Sequence, residues 1–489
     1  MAKVVLKLII ATVLVLPSFV HAATYWVSPT GEATWANAQS ETPLSGAACT
    51  TVALAFANAA AGDTVYFRGG TYNIPAKNTG NTYSGYYNPS NSGSSGNVIT
   101  FSAYTGETPV MNGTAGGTGD TSHFATIFGT TDKDYITFDG FTFQSDDGAK
   151  MARVFIGENG PSLPGPFNVS NITIKNCTFN GGSVITHTDN NEGLRIESVG
   201  TVLVESCTFY NYLETNDNHN TSCIKTYSVS DLTISKCEIY DSSVGIYLKS
   251  GTVATTIQHC YVHDCVEGII ARTDSLRQDN TTVHNNIIAN CSTDNLAVWA
   301  DADSQDEGLP NWTVTNNTFY NSSAPYYGVM QFMDDVDDRA TSWIVRNNLI
   351  QSRAGLNDYR AGLSLTKIYC ETGGFDYNAF GEYPDASTAY THYTTLAAIK
   401  AATLGGLTGG NHNINSVDGA IVFVNTSGIM SVVSDFALAS NSPGYQAGSD
   451  GKDMGADVTL VGTGAEGGED PPAPSGTATI RASGTVSWH

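Results

Sequence analysis

Ile174-Lys175-Asn176-Cys177-Thr178-Phe179 is the stretch on which the reading of this chain turns, because its pattern returns six more times. Cys207, Cys237 and Cys260 hold the fourth position in the next three copies, and Asn286, Asn317 and Asn348 hold it in the last three. The steps between copies are 30, 30, 23, 26, 31 and 31 residues. A constant strand pattern on a variable step means that loops absorb the difference, which is how a solenoid is built. The copies are short, rich in Ile, Val, Thr and Phe, and separated by Asn, Gly, Ser and Asp, so they read as strands bounded by turns. One rung per roughly 25–30 residues predicts an all-β chain coiled as a parallel β-helix, right-handed by the general preference of such crossovers.

Length and composition agree with a solenoid. A chain of 489 residues outgrows one globular core, but a stack of rungs grows along its axis without that limit. Fifty glycines and 14% charged residues suit stacked strands and turns better than helices. Met1–Ala22 reads as a secretory leader: Lys3 and Lys7 precede the apolar run Leu8–Val20, and Val20-His21-Ala22 is a small-residue cleavage site. The expected organisation is a leader over 1–22, a β-helix over 23–462 and a Gly/Pro/Glu-rich linker and tail over 463–489, with Thr50–Ala61 forming a short capping helix. Loss of the leader takes the formal charge from −24 to −26. Such a surface disfavours nucleic acid as a partner, and no segment after the leader is expected in a membrane. A polyanion could be handled only at a local basic patch.

Nine cysteines in an exported chain invite a disulfide framework. Cys177, Cys207, Cys237 and Cys260, however, fall at one equivalent position on consecutive rungs. A buried column of small apolar thiols is the favoured reading. Asn286, Asn317 and Asn348 would continue it as stacked amides bonded rung to rung.

A second strand in each rung carries the larger functional side chains. In Gly245-Ile246-Tyr247-Leu248-Lys249, alternation sends Ile246 and Leu248 inward and Tyr247 and Lys249 outward. Aligning the equivalent segments gives one outward column of Glu197, Tyr227, Lys249, Arg272, Trp299 and Phe332, and beside it a column beginning Arg195, Lys225, Tyr247. Rungs lie about 4.8 Å apart, so Lys249 and Arg272 should be direct neighbours. Two unit charges ~5 Å apart repel by roughly 0.8 kcal/mol even in water. Strand surfaces more often pair opposite charges, so stacked cations point to an anionic ligand, although snorkelling beside nearby acids is the plain alternative. With Arg195, Lys225, Tyr227, Tyr247 and Trp299, this face would form a groove for a carboxylated sugar chain.

β-Elimination of a uronate needs these residue types. The C5 proton becomes acidic when the adjacent carboxylate is neutralised, and the fork of Arg272 suits that carboxylate. Lys249, its proton affinity lowered by the neighbouring cation, would be the base. Tyr227 or Tyr247 would protonate the departing oxygen, a step open to Lys249 as well.

The opening Tyr25-Trp26-Val27-Ser28-Pro29-Thr30-Gly31 and the later Ala60-Ala61-Gly62-Asp63-Thr64-Val65-Tyr66-Phe67-Arg68-Gly69-Gly70-Thr71-Tyr72 resemble the start of secreted right-handed β-helix polysaccharide lyases, both the pectate lyases of family nine and the alginate lyase/chondroitinase B group of family six. Ser442-Pro443-Gly444, Gly448-Ser449-Asp450 and Met454-Gly455-Ala456 resemble the closing segment of such domains. Ile246-Tyr247-Leu248-Lys249-Ser250 with Arg272 resembles the family-six arrangement of a base Lys and an Arg on successive rungs. That likeness implies a secreted lyase of a uronate polysaccharide, alginate first. It also raises Ca²⁺ as a cofactor, with Asp217, Asp241 and Asp274 as weak candidate ligands. Two positions depart from the family. Ser242, Ser243 and Val244 stand where its calcium-binding glutamates often precede the Lys, and Arg272 is followed by Thr273-Asp274, not His-Gly.

Two other function classes stay open. Asp301, Asp303, Asp306 and Glu307, or Asp334, Asp335, Asp337 and Asp338, could serve a glycoside hydrolase or hold Ca²⁺, although solvated turn acids are the simpler reading. His187 with Asp189 and His219 with Asp217 lie in turns flanking the groove. The same face could also bind glycans without catalysis.

Overall fold

The computed structural model describes residues 22–75, 85–114, 126–145, 153–158, 167, 169–182, 190–214, 221–273, 278–300, 309–322, 328–334, 340–352, 363–366, 368–381, 386–388, 391–393, 396–401, 413–425, 427 and 430–464. They form a right-handed parallel β-helix with a 22-stranded and a 12-stranded sheet. Each complete rung has three faces. The 15-residue strands Asn191–Glu205 and Thr221–Ser235 run without a break from the face that carries Arg195 and Lys225 onto the next, so these two faces belong to one sheet. The 12-stranded sheet is the third face. Among the described residues only Ala386–Thr388 and Thr391–Tyr393 pair antiparallel as named strands.

The recurring hexapeptide is a corner with a strand on each side. Ile172–Lys175 ends on one face, Asn176 turns the chain at φ 53°, and Thr178–Asn180 starts the 12-stranded face. The same third position is left-handed in every copy: Ser206, Lys236, His259, Asn285, Asn316 and Asn347 have φ between 51° and 57°. Asn tolerates that conformation better than most residues, which explains its recurrence there.

The fourth position points inward and forms the expected column. The described cysteines are free and buried, while the side chain of Cys370 lies outside the described set. Sγ of Cys207, Cys237 and Cys260 lies 3.6, 3.8 and 3.7 Å from the carbonyls of Ile174, Val204 and Ile234 on the previous rung. The asparagines make the equivalent contact with stronger donors. Nδ2 of Asn286, Asn317 and Asn348 donates at 2.8 Å to Ile257, Val283 and Val314. It also donates to the next amide oxygen at 3.0, 3.1 and 3.0 Å, and Asn378 extends the ladder one rung further. Leu194, Ile224, Ile246, Ile269 and Leu296 stack in register and are fully buried, as the alternation predicts.

The first rungs are capped, and the C-terminal segment covers one side of the coil. The helix Val52–Asn58, capped by Thr51 accepting from Leu54 N at 3.3 Å, buries Val52, Ala55 and Phe56. Phe56 stacks on Phe101 at 4.4 Å and covers the first rungs. From Asn413 onward the chain doubles back along the outside of the 12-stranded sheet. Ile421, Phe423, Phe436, Leu438 and Met454 pack on Ile287, Tyr320 and Leu349. Backbone N–H groups of Gly455 and Gly462 donate to the corner carbonyls of Asn347 and His259 at 2.7 and 2.8 Å. No helix among the described residues is long and apolar enough to cross a membrane.

The amide ladder makes a stability prediction. Asn317→Ala should strip the Asn286 backbone N–H of its acceptor and remove the Nδ2 donor from the Val283 carbonyl and from Asn348 Oδ1, at about 1–3 kcal/mol for each stranded buried group. Asn317→Cys should cost less, because a thiol already fills this position on four rungs. Thermal denaturation of both variants checks the order, and equal losses would show that the amide contacts contribute nothing beyond packing.

Candidate active site

Strand register assembles the site from residues far apart in sequence. Glu197 pairs with Tyr227, Tyr227 with Lys249, Lys249 with Arg272, and Arg272 with Trp299, so the first outward column forms over these rungs. The neighbouring column runs Phe155, Arg195, Lys225, Tyr247, Ile270 and Ala297. Glycine marks the inward position that starts these strands. A Cβ on Gly245 would fall 2.5 Å from the Gly268 carbonyl oxygen, so the close approach of successive rungs requires its absence.

One expected member is displaced. Gly328 pairs with Asp294 and Met330 with Leu296, so Met333, not Phe332, pairs with Trp299. Phe332 takes the register position of Val298 and Ala271, which belongs to the inward set. The physical reason is that Gly328 is not the equivalent of Gly245 and Gly268, so aligning on the small residue slips the strand by one and exchanges its faces.

The two columns also differ in burial. Glu197, Tyr227, Lys249, Arg272 and Trp299 are partly exposed, whereas Arg195, Lys225 and Tyr247 are 4%, 0% and 2% exposed. The second column is therefore the floor of the site and not its surface. Tyr247 packs with Val244 and Ile270, and Trp299 leans on that cluster. Glu192 anchors the buried cations, lying 3.2 Å from Arg195 Nη1 and 3.7 Å from Lys225 Nζ. Arg195 Nε reaches forward to Glu197 at 2.8 Å.

Cations and rings interleave. Lys249 Nζ lies 5.4 Å from the Tyr227 ring and 5.7 Å from that of Tyr247. Arg195 lies 4.5 Å from the Tyr227 ring, and each such contact is worth about 0.5–2 kcal/mol depending on desolvation. Burial pushes the Lys225 ammonium down to about 8, with Arg195 and Lys249 acting the same way and Glu192 opposing. Glu192 at 3.7 Å and Asn190 at 3.0 Å hold the Lys225 ammonium.

Of the weaker candidates, Asp241 is an exposed left-handed corner residue, with φ 48°. Asp217, Asp274, His187, Asp189, His219, Asp301, Asp303, Asp306, Glu307, Asp335, Asp337 and Asp338 lie outside the described residues, as does the leader except Ala22; Asp334 is placed by its backbone alone. Among the described residues no group of three or more His, Cys, Asp or Glu side chains is arranged to hold a metal ion.

A third outward column was missed in the sequence. It contains Glu192, Ser222, Val244, Glu267 and Asp294. Its signal was an acid directly before the inward-turning residue, in Glu192-Gly193, Glu267-Gly268 and Asp294-Asn295. Glu267 and Asp294 pair across adjacent strands at 2% and 0% exposure, and neither Asp294 oxygen has a hydrogen-bond partner among the described residues. Burial first, and the Glu267 carboxylate second, push Asp294 up to about 8.

Because its folded value lies above its ordinary one, Asp294 takes up a proton on folding between about pH 4 and 8, and stability falls as pH rises through that window. Asp294→Asn should flatten the fall, read as melting temperature between about pH 5 and 9. Parallel curves for wild type and variant would rule the assignment out.

A family model described as "right handed beta helix region" matches residues 167–356, the span that contains the candidate site. No curated protein matches the sequence. Among solved structures, pectate lyase Pel9A is 17% identical, with a TM-score of 0.52 over 88% of this chain and 95% of that one. A rhamnogalacturonan lyase is 14% identical over 85% of this chain and 94% of that one, with a TM-score of 0.40. The A-module of the Azotobacter vinelandii mannuronan C-5 epimerase AlgE6 is 14% identical over 73% and 90%, with a TM-score of 0.41. At 17% identity the likeness to pectate lyase Pel9A bears on the fold alone.

Proposed function

We propose that this protein is a secreted polysaccharide lyase that cleaves a uronate-containing chain by β-elimination, alginate being the first substrate to try. The observation that carries the reading is the register pairing of Lys249 with Arg272 on a partly exposed column, with two tyrosine rings within 6 Å of the Lys249 ammonium. In a chain of net charge −24, a cationic strip of this kind is where a polyanion can dock. The solved structure that it resembles along 88% of its length is a pectate lyase, and pectate is itself a polyuronate.

The chemistry follows from the positions. Arg272 offers two parallel donors to the uronate carboxylate and offsets its charge, so that electrons from the C5–H bond have somewhere to go. Lys249, one rung away, is the base that takes the C5 proton. The C4–O bond breaks as the C4–C5 double bond forms, and the departing oxygen needs a proton. Tyr227, partly exposed and in the same column as Lys249, is the better donor; Tyr247 is buried and serves as floor. Glu197 and Trp299 flank the reacting position, the indole offering a face to a sugar ring. Calcium is given no step, since Ser242, Ser243 and Val244 precede Lys249 where acidic ligands would be wanted.

Elimination leaves a conjugated double bond, so ultraviolet absorbance on alginate, polygalacturonate and glucuronate-containing chains tests the reading directly. Lys249→Ala should lose roughly 10²–10⁴-fold in turnover with the fold intact. Arg272→Ala should be comparably damaging and Arg272→Lys should not rescue it, because a point charge lacks the fork. Tyr227→Phe should lose turnover while keeping substrate binding, and Trp299→Ala should mainly raise KM. Near-normal activity of Lys249→Ala on a uronate that the wild type cleaves would falsify the mechanism. A wild type that binds uronates and cleaves none would make the face a glycan-binding site instead.

Chelation is a separate test. Activity should persist in EDTA, and loss that is restored by Ca²⁺ would mean that ligands outside the described residues complete a metal site.

A further inference from the structure

An ammonium group on a fully covered strand face is costly unless held, and Lys225 is 0% exposed. It is also built into a pattern. Lys225 pairs in register with Tyr247, and Tyr227 with Lys249, so the four side chains form a block with lysines on one diagonal and tyrosines on the other. Lys225 Nζ lies 5.9 Å from the Tyr227 ring and 5.3 Å from the Tyr247 ring. Lys249 Nζ lies 5.4 and 5.7 Å from the same two rings. Both ammonium groups are thus read by both phenols. Lys225 touches the buried side, where Glu192 at 3.7 Å and Asn190 at 3.0 Å hold it.

We propose that Lys225 is a positioning residue: a buried cation, out of reach of the polymer, that fixes Tyr227 and Tyr247 and adds its charge behind the Lys249–Arg272 column. This rests on the functional reading above. A residue needed only for packing would carry no charge here, since Ile270 and Ala297 fill the same column two and three strands further on without one. Among the described residues, the charged and titratable groups facing Lys225 include Glu192 and Arg195 from the preceding strand, Tyr247 and Lys249 from the next, Tyr227 on its own strand, and Glu214. Burial, Arg195 and Lys249 together bring its proton affinity down to about 8, against the pull of Glu192 and Glu214. The charge behind the column is therefore present at neutral pH and lost as pH rises through about 8.

Two variants separate charge from packing. Lys225→Met keeps the length of the side chain and leaves Glu192 its other partner, Arg195 at 3.2 Å, so no acid is stranded. Lys225→Arg keeps a charge that does not titrate. On a cleaved uronate, wild-type KM should rise by roughly three- to tenfold as pH passes from about 7 to 9, an effect of one charge at several ångströms. Lys225→Met should start at the high KM and show no such rise, and Lys225→Arg should keep the low KM throughout. An identical alkaline rise in wild type and Lys225→Met overturns the proposal.

A second readout needs no substrate. In protein labelled at lysine Cε, an NMR resonance that disappears in Lys225→Met should titrate near pH 8. If the wild type cleaves no uronate, the lyase reading fails, and this readout alone decides on Lys225. An ordinary lysine midpoint for Lys225 overturns it.

Discussion

Parallel pairing at about 4.8 Å per rung makes every side chain the direct neighbour of its own equivalents, and the rest of this structure is a response to that constraint. Like must stack on like. Inside, this is easily satisfied: Phe143, Phe179 and Phe209 stack at 5.0 and 4.4 Å, and the aliphatic columns need no partners. Amides satisfy it too, because an Asn can donate to the next Asn and to a carbonyl of the rung before. A thiol repeats that geometry with longer, weaker contacts, which is why Cys and Asn exchange at one position without disturbing the coil.

Outside, the same rule stacks charges, and the protein meets the cost in three ways. Arg195 and Lys225 share one buried acid, Glu192. Lys225 and Lys249 alternate with Tyr227 and Tyr247, so that each cation faces a ring and not only another cation. Glu267 and Asp294 have no such relief among the described residues at Asp294, and the acid meets the cost by holding on to its proton. Among the described residues of this face, Lys249 and Arg272 are the cations that stack in register on a partly exposed column. That difference sets them apart from the charges behind them.

The faces have different fates because different things cover them. The C-terminal segment buries Ile287, Tyr320 and Leu349 on the 12-stranded sheet, which takes the outer surface of those rungs out of play for a ligand. On the face with Lys249, the inner of two columns is covered and the outer one is open in part, giving a floor and an edge. A polymer that lies along the edge would meet groups oriented from below.

Sequence alone determined the solenoid, the Cys–Asn column and most of the site register, because a period of two and a repeated hexapeptide are local properties that survive changes in loop length. Lys249 beside Arg272 was legible for that reason. Phe332 was misplaced because register across a variable loop is decided by the hydrogen bonds actually made, and a glycine is a poor marker where the equivalent inward residue need not be small. The burial of Arg195, Lys225 and Tyr247 was not legible at all. Alternation says which way a side chain points and nothing about what lies over it. The same gap hid the Glu267–Asp294 pair, which only the strand register brings together. Only the tertiary structure decided which charges are exposed and which are held inside, since exposure is set by segments distant in the chain.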